Sequence, residues 1–272
     1  MAEIPAPSLA AAARDLMLAG RWDQATALLS CGSGANDAER AVLAVAEAEV
    51  AVDHDFWCRT DRGSSVLARA SEVVASAPRD PVLGYDLEFL RLRHDYAAEL
   101  FGPDGVPRFG QDGREAAVID ALAARAEGLR DAAPDGARGA AATFYAGLIA
   151  DNLRGDGAAA RTAFAAALSL AEEAGDDLVV SEALRHLGYH HGEAGDTEQA
   201  RQMWERSAEL RQRAGAVPYA LSQQLLLAGL ARDTGDPDQA RAVAGQVRRW
   251  ARALGIAILE AGAAELCLAG PV

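Results

Sequence analysis

The chain of 272 residues contains no lysine; all 26 of its basic residues are arginine. Schiff-base chemistry is therefore excluded, and with it pyridoxal-phosphate catalysis and a lysine-bearing phosphate loop. Cysteine is almost as scarce. Cys31, Cys58 and Cys267 are scattered and show no CxxC spacing. An odd, sparse set of thiols builds no disulfide framework and fits a reducing compartment, so a cytoplasmic protein is expected. Positive charge is in the minority, with 40 acidic residues and a formal charge of −14. Such a surface repels a phosphate backbone, which argues against general nucleic-acid binding. Arg241, Arg248, Arg249 and Arg252 form a local exception. It reads as a solvated helix face, with a partner site as the alternative. Long apolar runs are absent as well: the tail from Leu254 to Val272 is broken by Glu260 and Glu265, so no membrane span is expected. Met1 to Ala13 carries Glu3, Pro5 and Pro7 and no basic start, unlike a signal peptide.

What remains is rich in Ala, Leu, Glu and Arg and poor in aromatic and β-branched residues. That composition favours helix nearly everywhere. The main signal is a repeat. Gly155-Asp156-Gly157-Ala158-Ala159-Ala160-Arg161, Gly195-Asp196-Thr197-Glu198-Gln199-Ala200-Arg201 and Gly235-Asp236-Pro237-Asp238-Gln239-Ala240-Arg241 align without gaps at an interval of 40 residues. Glycine just past a helix end tolerates the left-handed conformation found there. Aspartate then caps the next helix, with Gln199 and Gln239 placed as in a capping box. Pro237 fits the first helical position, and Ala160, Ala200 and Ala240 let paired helices approach closely. Gly20-Arg21-Trp22-Asp23-Gln24-Ala25 echoes the turn near the N-terminus. Val42-Leu43, Val52 and His54-Asp55-Phe56 return as Val82-Leu83, Leu92 and His94-Asp95-Tyr96.

The pattern predicts helices at 8–19, 22–30, 37–59, 63–77, 81–101, 114–131, 137–153, 157–174, 178–194, 197–214, 217–234, 237–254 and 256–269. Gly102 to Gly113 is the one long loop, and a loop of that length among short turns is often functional.

On these residues the chain resembles the tetratricopeptide-repeat family of bacterial regulators and adaptors. Leu184, Leu187, Gly188 and His191 match the family's first-helix pattern, and Ala200, Trp204, Ser207 and Ala208 its second. Phe144, Ala160, Phe164 and Ala167 match in the preceding unit, and Leu227, Ala228 and Ala240 in the following one. The resemblance implies an all-α, right-handed solenoid of about six helix-turn-helix repeats, one domain over 1–272. Weaker repeats fill 8–131, the clearest lie at 137–254, and a capping helix occupies 256–269. That last helix, with Ile256, Ile258, Leu259, Leu266 and Leu268, is either a cap or a homodimer surface.

The resemblance also implies a binding groove on the concave face, lined by first helices. The family's groove positions fall here on Tyr145, Asn152, Glu182, Arg185, Tyr189, Ser222 and Arg232. A protein or peptide partner is expected, and no cofactor or metal. Ordinary solvated surface is the plainer alternative. A second reading makes the groove a small-molecule or catalytic pocket, carried by His54, His94, Asp95, Glu182 and His186, with the loop as a lid.

All five histidines, His54, His94, His186, His190 and His191, lie on expected first helices. His186 and His190 share a face with Glu182, a spacing that can bind zinc. A polar groove position is expected for His186 and a core contact for His191. His54 and His94 read as buried equivalents, or as acid/base groups paired with a carboxylate. Ser30, Ser64 and Ser65 come with no accompanying triad pattern, and no phosphate loop, dinucleotide fingerprint or GxSxG elbow occurs.

Overall fold

The computed structural model describes residues 4–102 and 104–268. Pro103, the first three residues and the stretch from Ala269 onward lie outside it, including the last residue of the expected cap. Within the described residues six helix pairs follow one another. They are α1 (Ala6–Leu18) with α2 (Trp22–Ser30), α3 (Asp37–Cys58) with α4 (Gly63–Ser76), and α5 (Pro81–Leu100) with α6 (Ala116–Asp131). Then come α7 (Gly136–Leu148) with α8 (Gly157–Ala174), α9 (Asp177–Glu193) with α10 (Thr197–Arg213), and α11 (Val217–Asp233) with α12 (Pro237–Leu254). A final helix, α13 (Ala257–Leu268), packs on α11 and α12. The architecture is an all-α helical-repeat solenoid. The only β pairing among the described residues is an isolated bridge between Phe101 and Pro107.

The repeated turn works as its chemistry requires. Gly155, Gly195 and Gly235 are left-handed, at φ 70°, 85° and 97°. The next residue caps in each case: Asp156, Asp196 and Asp236 accept from the backbone N–H three residues on. Ala160, Ala200 and Ala240 are buried, and so are the aromatic residues Phe164 and Trp204 on the second helices. Glycines on the first helices make room for those rings. A Cβ on Gly147 would stand 2.6 Å from Phe164, and one on Gly188 would stand 2.6 Å from Trp204.

One expected helix changes character. The stretch 137–153 does not continue as α-helix; Ile149–Arg154 is a π-helix. The wider turn keeps Ile149 and Leu153 fully buried. It also turns Asn152 outward to two partners: its side-chain amide donates to the Tyr96 hydroxyl (2.6 Å), and its carbonyl accepts from Gly110 N–H (2.9 Å). The second contact ties the long loop to the inner helices. The loop is further held by Arg114, which donates to the carbonyls of Glu99 and Arg108. At its start, the Arg59 guanidinium sits 3.1 Å over the Phe101 ring.

The two ends of the solenoid meet. One apolar cluster contains Leu9, Met17 and Trp22 from the first pair and Val50 and Trp57 from α3. It also contains Leu221 from α11, Val247 and Ala251 from α12, and Leu259 from α13. Gly20 lies against Leu254 and Pro218. Ile256, Leu259 and Ala263 are spent on this internal closure, which leaves Leu268 as an exposed apolar side chain of α13.

Candidate binding groove

The inner helices α3, α5, α7, α9 and α11 send polar side chains inward from helix faces that are otherwise apolar. These groups connect into one seam. Asp53 of α3 is fully buried and accepts from Trp22 Nε1 (2.8 Å) and from the Tyr219 hydroxyl of α11 (2.7 Å). Arg93 of α5 stands 3.6 Å from the same carboxylate and acts electrostatically on Tyr145 of α7, opposing the effect of burial on its hydroxyl. On α9, Glu182 lies 3.1 Å from Arg211 Nη2, and Arg185 donates to Gln223 Oε1 of α11 at 3.3 Å. Arg211 reaches in from α10 and donates to the Tyr219 carbonyl (2.8 Å).

Removal from water governs the electrostatics of the seam. Burial pushes the Asp53 carboxyl above the usual carboxylate range, against the pull of Arg93 and the bonds from Trp22 and Tyr219. Burial also works against the charge on Arg93, but Tyr145, Tyr219, Asp53 and Glu49 outweigh it and hold the guanidinium protonated. Arg185 is less well served. Burial, reinforced by neighbouring Arg211 and opposed by Glu182, lowers its pKa to about 10.

Donors outnumber acceptors around Arg185. Gln223 is fully buried, and its Oε1 accepts from Arg185 (3.3 Å), while the one proton of neighbouring Ser207 Oγ goes to the Ser181 carbonyl at 2.7 Å. The Nε2 of Gln223 has no partner. Arg211 Nη2 is paired with Glu182 by charge at 3.1 Å but not in hydrogen-bond geometry. A buried donor left without a hydrogen bond is costly.

The residues expected in the groove divide into two sets. Tyr145, Glu182 and Arg185 come together in the seam. Tyr145 also meets Phe89, Tyr96 and Phe144 edge-on. Tyr189, one turn beyond Arg185, is 47% exposed. Asn152 serves the π-helix and the loop. Ser222 is half-buried on α11, and Arg232 pairs with its neighbour Asp233 at the end of that helix. Sequence reasoning missed Asp53, Arg93, Arg211, Tyr219 and Gln223. Two of these carried a usable signal: Asp53 and Arg93 are 40 residues apart, directly before His54 and His94. They are opposite charges at equivalent repeat positions.

The histidines depart from expectation. His191 is not a core contact: its side chain is 40% exposed and lies 3.4 Å from Asp196. The buried member is His190, whose Nε2 lies 3.3 Å from Asp151, because helix geometry turns the two neighbours about 100° apart. His186 stacks on Phe164 (4.8 Å between centroids) and faces Asp151 at 3.8 Å. Its pKa is lowered by burial, with Asp151 opposing. Glu182 turns away to Arg211, so the spacing that suggested zinc does not assemble. No group of three or more His, Cys, Asp and Glu side chains among the described residues is placed to hold a metal. His54 and His94 are half-buried and not equivalent. His54 stacks on Trp22 (5.0 Å, 7°), whereas His94 contacts Asp95 and Ser64. A cleft of about 500 Å³ opens between α5 and α6, with Asp95, Glu99, Arg125 and Leu122 among its lining; neither His54 nor His94 lines it.

No helix among the described residues is long and apolar enough to cross a membrane. No protein-family model matches the sequence, and no curated protein matches it significantly. Among solved structures the chain is similar to a Rap protein complexed with Competence and Sporulation Factor. The identity is 12%, the TM-score 0.61, and the match covers 94% of this chain and 68% of the other. It is also similar to a signal-transduction ATPase with numerous domains, bearing a tetratricopeptide-repeat sensor, from Pyrococcus horikoshii. There the identity is 13%, the TM-score 0.49, and the shares are 89% and 35%. At 12% identity the likeness to the Rap protein concerns the fold alone.

Proposed function

We propose that this protein is an interaction module whose inner face binds a protein or peptide segment. The observation that carries the reading is that Glu182 and Arg185, both only half-buried, stand on the inner helix α9 beside the exposed Tyr189. An extended segment offers main-chain carbonyls, and carboxylates where it is acidic, to the Arg185 guanidinium. Tyr189 adds an exposed aromatic ring one turn along the same helix, suited to an anchor contact. The Rap neighbour, solved with a factor bound to it, supports the choice of a binding role by analogy of fold.

The test places a photo-crosslinking residue at Tyr189 on α9, and separately at Trp250 on α12, which is 54% exposed. Crosslinking in cells of the source organism is expected to capture one partner from position 189 and none from 250. In an affinity pull-down, which needs no crosslinker at 189, the Arg185→Ala, Tyr189→Ala double variant should lose that partner while keeping its helical circular-dichroism spectrum. Equal recovery by the double variant would refute the groove assignment.

A further inference from the structure

Away from the seam, the first turn of α4 meets α5 in an arrangement with chemical consequences. Ser64 is exposed, and its Oγ lies 3.1 Å from His94 Nε2. His94 Nδ1 lies 3.2 Å from Asp95 Oδ1, and the other oxygen of Asp95 accepts from Arg125 at 2.7 Å. A carboxylate on Nδ1 selects the tautomer with its proton there, leaving Nε2 free to accept from the serine hydroxyl. The contact is built into the backbone. A Cβ on Gly63 would stand 2.9 Å from His94 Cδ2 and 2.7 Å from Asp55 Oδ2, so a residue without a side chain lets the ring lie against the start of α4. Asp55 pins that turn by accepting from Gly63 N–H (2.6 Å) and Arg62 N–H (3.1 Å). The amides of Ser64 and Ser65 belong to the helix's first turn, where no intrahelical acceptor exists and negative charge is favoured.

We propose that Ser64, His94 and Asp95 form a nucleophilic site that hydrolyses small carboxylic esters. Ser64 Oγ attacks the ester carbonyl carbon while His94 Nε2 takes the hydroxyl proton. The tetrahedral oxyanion is met by the first-turn amides of α4. Collapse breaks the carbonyl carbon–alkoxy bond, and His94 returns the proton to the leaving alcohol. Water then attacks the acyl-serine, with His94 again taking and returning a proton. The net change is ester plus water to acid plus alcohol, and Ser64 is restored. Asp95 is a positioning residue, holding the imidazole in the required tautomer. Ser64 sits at an exposed rim without an enclosing cavity, so a small activated ester is the simplest probe of the site. The site is independent of the proposed groove and stands or falls without it.

The experiment treats the full chain with diisopropyl fluorophosphate and, in parallel, with p-nitrophenyl acetate. One phosphoryl adduct per chain is expected, located on Ser64 by peptide mass spectrometry and absent from Ser64→Ala. Ester hydrolysis by the unmodified chain should exceed that of Ser64→Ala and His94→Gln by about 100-fold or more. Ser64 is exposed, so its alanine variant keeps the fold, and Ser76→Ala, at the exposed far end of the same helix, is the control that should retain the rate. Hydrolysis equal in the unmodified chain and in Ser64→Ala, or an adduct elsewhere or nowhere, would overturn the proposal and reduce the contact to helix packing.

Discussion

The two halves of this solenoid reach the same helix-pair geometry by different means. From α7 onward the chain relies on its backbone: left-handed glycines recur at 155, 175, 195, 215, 235 and 255, one every 20 residues. Before α7 the spacing fails. After α3 the left-handed position is taken by Arg59 at φ 56°, a conformation that costs a residue with a side chain on the order of 1 kcal/mol. Its guanidinium offsets that cost by lying over Phe101 and donating to the Phe56 carbonyl. Further along, Arg138 spans α7 to Asp86 of α5 with two bonds (2.6 and 2.8 Å), and Arg125 spans α6 to Asp95. The second half is thus punctuated by glycines at a regular interval, the first at irregular positions and once by an arginine, while arginine pairs between helices occur in both, as Arg206–Glu172 and Arg213–Asp177 show for the second. The first half is also where the loop and the Ser64–His94 contact lie.

The strongest way to break the comparison is at the place where the halves join. Asp53→Ala removes the carboxylate shared by Trp22, Arg93 and Tyr219, leaving a buried cation and two buried donors without it. A loss of about 3 kcal/mol or more is expected, read as a fall in Tm of roughly 10 °C for a chain of this size. A change under 2 °C would mean that the apolar cluster alone closes the ends.

Two glycine substitutions sharpen the contrast at lower cost. Gly188→Ala, in the closely packed half, drives a methyl into Trp204 and disturbs that ring's bond to the Arg185 carbonyl (2.9 Å). It should destabilise by about 1–3 kcal/mol. Gly84→Ala, in α5, meets nothing within 4 Å and should be neutral or stabilising by up to about 1 kcal/mol. Urea unfolding of both variants checks the pair, and equal signs would refute the packing difference.

The same contrast explains what could be read from the sequence. The helices were legible because caps, glycines and apolar periodicity act within one or two turns, and these were nearly complete even in the irregular half. The π-helix was not, because Asn152 is drawn out by Tyr96 and Gly110, partners 56 and 42 residues away in the chain. Among the residues of the seam, Tyr145 and Arg185 were visible in the sequence because they lie 40 residues apart at equivalent positions of regular repeats, with Glu182 one turn before Arg185. Asp53 and Tyr219 meet only because the ends close on each other. The Ser64–His94 contact was hidden for a related reason, since it depends on Gly63 and Asp55 setting the start of α4 beside α5. The triplet His54-Asp55-Phe56 and its repeat His94-Asp95-Tyr96 make the point. Asp55 caps a helix turn while Asp95 pairs with His94 and Arg125, and nothing in the triplet itself separates the two uses.

The smallest expected effect separates the halves by the sign of a pH dependence. In the first half, the bond to Asp95 raises the pKa of His94 against the opposing effect of burial. The folded state therefore favours the protonated ring. Its contribution is complete below the unfolded value of about 6.5 and is lost as pH rises through the folded value. In the second half, burial lowers the pKa of His186, with Asp151 opposing. There the folded state favours the neutral ring, and its contribution is lost as pH falls from about 6.5 through the lowered value. Replacing either histidine by glutamine removes one slope and leaves the other. Unfolding free energies between pH 5 and 8 should show His94→Gln losing more stability at the acid end of that range, relative to the parent chain, than at the alkaline end. His186→Gln should show the reverse. Parallel curves for the two variants would mean that Asp95 and the Phe164 stack do not set the two rings apart, and that the halves do not differ in the electrostatics of their histidines.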